Sequence, residues 1–183
     1  MEDGKKINPK EKVYKSENLP LNMQKESEVW INKAKLRIDL NRSLLVICFT
    51  LFTLIIAINP LILKNNTILT VELILAIPLL ISSSLTRMKL VYSNKREIWN
   101  NFGFITFIIA YGLLINVIGM FLTSLVSPKI SMLFFGANIL MALSYSLIEV
   151  FEDKEKLSSR FYKDLFFIAV LVFGGILPCL GVY

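Results

Sequence analysis

Five apolar runs of 18 to 25 residues decide what this chain can be: 43–63, 68–85, 102–126, 130–148 and 165–183. A helix rises 1.5 Å per residue, so about 20 apolar residues cross a hydrocarbon layer of ~30 Å. Inside that layer the backbone finds no water, and only a helix or a closed barrel satisfies its own N–H and C=O groups. Runs this long do not alternate in the way barrel strands do. The sequence therefore predicts an all-α membrane protein with five transmembrane helices, which account for more than half of its 183 residues.

Orientation follows from the distribution of lysine and arginine. Residues 1–42 carry ten, the link between the second and third runs four (Arg87, Lys89, Lys95, Arg96), and the link between the fourth and fifth another four (Lys154, Lys156, Arg160, Lys163). The opposite side receives only Lys64 and Lys129. This bias predicts a cytoplasmic N-terminus and an outward C-terminus, arranged as two antiparallel hairpins plus a fifth helix. Ile, Lys and Asn richness points to an AT-rich prokaryote and a multi-pass protein of its plasma membrane. The first run lacks a cleavage pattern and follows a long charged segment, so it reads as its own insertion signal.

Three segments are expected: a disordered cytoplasmic tail at 1–21, an amphipathic helix at 22–42, and the membrane domain at 43–183. Met23, Trp30, Ile31, Ala34 and Ile38 share one helical arc, and Val29, Leu36 and Leu40 a second. Such a helix lies at the inner headgroups or continues the first span as an oligomerisation helix. The net charge of +6 describes this basic face. It makes anionic lipid headgroups the expected partner, with a homo-oligomer or larger membrane complex as the protein-level alternatives. Without aromatics interleaved in a basic stripe, nucleic acid is not expected.

The chain has no histidine and two cysteines, Cys48 and Cys179, which the hairpin topology places in opposite leaflets. No disulfide, metal or cofactor is expected from them. No phosphate loop, dinucleotide fingerprint, Cys-x-x-Cys or Gly-x-Ser-x-Gly occurs, so the chain does not read as an enzyme.

What remains is a short set of polar groups inside the spans, where an ionisable residue is a functional candidate by default. Folding the 102–126/130–148 hairpin about residue 127 brings Asn116 opposite Asn138, on stripes of small residues suited to close packing with an interhelical amide bond. Folding the first hairpin about its Asn65-Asn66 turn brings Asn59 to the depth of Glu72, with Ser83 further along the Glu72 face. Glu72 has no basic residue in its own span. It is either an anchor or a group that carries a proton or ion. Pro78, Gly174 and Pro178 are candidate helix breaks. Two functions fit: a transporter or channel component for a small solute or ion, possible coupling to protons running through Glu72, and a non-catalytic scaffold or accessory subunit.

Overall fold

The computed structural model describes residues 21–93, 96–152 and 157–181, and every regular element among them is helical. The helices are α1 (Leu21–Ile58), α2 (Leu61–Asn65), α3 (Thr67–Tyr92), α4 (Arg96–Leu125), α5 (Pro128–Glu152) and α6 (Leu157–Leu171). A π-helical turn at Val172–Ile176 follows, then the short α7 (Leu177–Cys179). Five stretches are long and apolar enough to cross a membrane: Val29–Ile58, Thr67–Leu90, Arg96–Leu125, Pro128–Phe151 and Phe161–Cys179.

No glycine or proline interrupts residues 21–58, and α1 accordingly runs unbroken through the boundary expected at residue 42. It stops at Asn59-Pro60, where the proline ring disfavours a helical conformation in the residue before it. The Asn59 side chain accepts the Leu61 N–H at 3.0 Å and starts α2. Asn66 caps α3 by accepting the Leu69 N–H at 3.0 Å. The disordered tail expected at 1–21 lies outside the described residues except for Leu21, which begins α1.

Pro78 does not break α3. The helix continues on both sides of it, and the residue is exposed on the outer face. A proline ring turned outward costs the helix one hydrogen bond without displacing a packed neighbour. The real departure from α geometry lies instead at Val172–Ile176, around Gly174 and Gly175. There the Leu177 N–H reaches back five residues to Val172 O.

The pairing of helices differs from two separate hairpins. α4 is the central helix, burying Ala110, Leu114, Ile115, Asn116, Val117, Met120 and Phe121. Its most extensive partner is α3, from the other expected hairpin, followed by the α6/π segment and α5; α1 packs chiefly on α3 and also touches α4. Small and polar residues make this possible: Ser83 donates to Gly103 O at 2.9 Å, and Thr86 lies against Gly103. Meanwhile Leu133, Leu140, Met141 and Phe151 point outward. Polar seams inside and leucine, isoleucine and phenylalanine outside are what a lipid solvent selects.

Candidate functional site

Glu72 lies six residues beyond the Asn66 cap, about 9 Å along the helix axis. It is only 6% exposed. The group it meets is Asn116 on α4, which is fully buried. Asn116 Nδ2 donates to Glu72 Oε1 at 3.2 Å and to Val170 O of α6 at 3.1 Å. One amide thus ties three helices together at a single depth. Glu72 Oε2 and Asn116 Oδ1 remain buried with no hydrogen-bond partner.

Glycines open the space around this pair. A Cβ at Gly174 would collide with Glu72 Oε1 and Asn116 Nδ2. One at Gly175 would press on Asn116 Oδ1 and the Phe135 ring. On α4, a Cβ at Gly112 would meet Val170, and one at Gly119 would strike Phe135. The π turn therefore brings bare backbone up to a carboxyl and an amide. A widened turn of this kind disturbs the regular carbonyl ladder, and such turns cluster at functional sites. Val170 O, just ahead of it, is the carbonyl that Asn116 uses.

No basic side chain among the described residues is within ion-pair distance of Glu72; Arg42 and Asp39 pair at 3.7 Å on the exposed surface of α1, far from it in sequence. Lys64 sits exposed in α2. Nor do three or more His, Cys, Asp or Glu gather as metal ligands among the described residues. The chemistry on offer is a carboxyl that takes or releases a proton, beside oxygen acceptors (Asn116 Oδ1 and Val170 O). Five clefts lie elsewhere among the described residues, and none of these has Glu72, Asn116 or Gly174 in its wall.

The other sequence candidates lie elsewhere. Asn59 is exposed and serves the α2 turn. Asn138 donates to Phe134 O of its own helix at 2.9 Å, so the Asn116–Asn138 amide bond expected from the hairpin does not form. α5 meets α4 near the connecting turn instead, where Ser131 donates to Gly119 O at 2.8 Å and Phe135 fills the space over Gly119. Ser83 belongs to the α3–α4 seam. Pro178 opens α7, and Cys179 behind it is buried against Thr123 and Ser131. Both cysteines are free thiols. The sequence reasoning missed the pairing of Glu72 with Asn116. Its signal was present: both stand 22 residues from position 94, the link between α3 and α4. Compared with protein-family models, curated proteins and solved structures, the chain has no match.

Proposed function

We propose that this polytopic membrane protein is a proton- or cation-linked transport component, with Glu72 as the group that is loaded and unloaded. The observation that carries the reading is a buried carboxyl with no basic partner among the described residues, bonded to a buried amide and faced by the glycine pair of a π turn. A lone carboxylate is costly to keep away from water, so the packed arrangement calls for a proton or a small cation on it. With a proton, the two orphan atoms complement each other: the Oε2 hydroxyl is a donor and Asn116 Oδ1 an acceptor. The surround is closed, which fits an occluded state. Access would come from movement of the glycine-rich π segment against α3 and α4. The basic links and the N-terminal segment face the cytoplasm of a prokaryotic plasma membrane in this reading.

The same closed surround supports a second reading, in which the Glu72–Asn116–Val170 bonds hold together a scaffold or accessory subunit. Proton flux into proteoliposomes separates the two. Flux by the purified protein that disappears in Glu72→Gln is the outcome expected for transport. A silent protein that co-purifies with a larger membrane complex fits the scaffold.

A further inference from the structure

A second polar cluster lies at the other end of α3, and it has the opposite charge. Arg87 is 3% exposed and donates to Asn100 Oδ1 at 2.6 Å; Arg37 of α1 donates to the same oxygen at 3.1 Å. Two guanidinium groups therefore converge on one neutral acceptor. No carboxylate among the described residues is within ion-pair distance of either. Beside them is a cleft of about 160 Å³, walled by Arg37, Asn41, Ser83, Arg87 and the rings of Phe104 and Phe107.

Asn41 adds an independent sign of a missing ligand. It is 1% exposed, and its Nδ2 donates to Ser84 Oγ at 3.1 Å. Ser84 passes its own hydroxyl hydrogen to Leu80 O at 3.0 Å, so its oxygen is the acceptor and the amide orientation is fixed. Asn41 Oδ1 is left buried without a donor. The cleft thus offers two cations and one acceptor, a set that fits a phosphate carrying a neighbouring hydroxyl. Depth agrees: Arg87 is 20 residues from the start of α3, about 30 Å along the helix, where the phosphates of the far leaflet lie.

We propose that the Arg37–Asn41–Arg87 cleft binds a hydroxyl-bearing phosphoester, the headgroup of a phosphatidylglycerol-type lipid, with the guanidiniums on the phosphate and Asn41 Oδ1 accepting from the hydroxyl. Arg37 and Leu40 are exposed at this cleft, so a headgroup can enter from the lipid while its tails remain outside. This site is separate from Glu72, and neither reading of the Glu72 centre bears on it.

The test is titration of the full-length protein in phosphatidylcholine nanodiscs with short-chain phosphatidylglycerol, read by native mass spectrometry. Arg37→Gln should weaken binding about tenfold, the loss expected for one charge-assisted contact. Arg42→Gln, on the same helix but outside the cleft, should leave it within about twofold. Arg87→Gln should weaken it further; because Arg87 is buried and that variant can misfold, the comparison of Arg37 with Arg42 decides. Soluble glycerol phosphate provides the second arm. If it displaces the lipid, the cleft recognises the phosphoester without its tails; if it does not, the tails take part in binding and the occupant is lipid. Equal weakening by Arg37→Gln and Arg42→Gln, or equal occupancy by added short-chain phosphatidylcholine, would overturn the proposal.

Discussion

The surroundings of the Glu72 side chain satisfy only one of its two oxygens. Glutamine has nearly the same shape and keeps an acceptor for Asn116 Nδ2. Glu72→Gln should therefore change unfolding stability by less than about 1 kcal/mol, as thermal denaturation in detergent would show. Asn116→Ala leaves Glu72 Oε1 and Val170 O without their donor and should cost about 1–3 kcal/mol in the same assay. Difference infrared spectroscopy gives a direct reading of the proton: the carbonyl band of a neutral carboxyl should be present in the wild type and missing in Glu72→Gln. Glu72 itself stood out in the sequence as an acid with no cation in its span. Its partner did not, because the hairpin register offered Asn138 for Asn116 and Asn59 for Glu72, and helix order along the chain does not say which neighbours touch.

At the scale of helices, length and hydropathy placed the second to fifth spans to within about six residues, since a bilayer sets one length for all of them, whereas the first begins at Val29 instead of residue 43 and ends at Ile58 instead of residue 63. Two features escaped that reasoning. The tightest pair is α3 with α4, across a link that looked like a mere connection between hairpins, because Gly103 lets Thr86 and Ser83 approach its backbone. A Cβ built at Gly103 lies 3.2 Å from Thr86 Cβ, close to the span of a disulfide. With Cys48 and Cys179 replaced by serine, Thr86→Cys combined with Gly103→Cys should cross-link on oxidation. Asn116→Cys combined with Asn138→Cys should not; protease digestion and gel mobility distinguish them. The π turn also escaped, since Gly174-Gly175 ahead of Pro178 reads equally as a break or a packing stripe. Gly174→Ala should destabilise the protein by about 1–3 kcal/mol through overpacking, because the added methyl would enter the Glu72–Asn116 bond.

For the whole molecule, both the buried polar centre and the lipid-facing leucines depend on hydrocarbon being the solvent around α1, α3, α4, α5 and α6. In water the exposed Leu133, Met141 and Phe151 would drive aggregation, and Glu72 would have no reason to be enclosed. An odd number of crossings would put the two ends on opposite sides, with eighteen of the twenty lysines and arginines on the side of the N-terminus. Site-directed labelling with a membrane-impermeant maleimide is the most direct check. Single cysteines are placed beside Met1 and beside Tyr183, in a background where Cys48 and Cys179 are serine. In intact cells the cysteine beside Tyr183 should react at once, and that beside Met1 only after the membrane is opened. Labelling of both ends from the same side would contradict five crossings and, with them, the intramembrane position of Glu72.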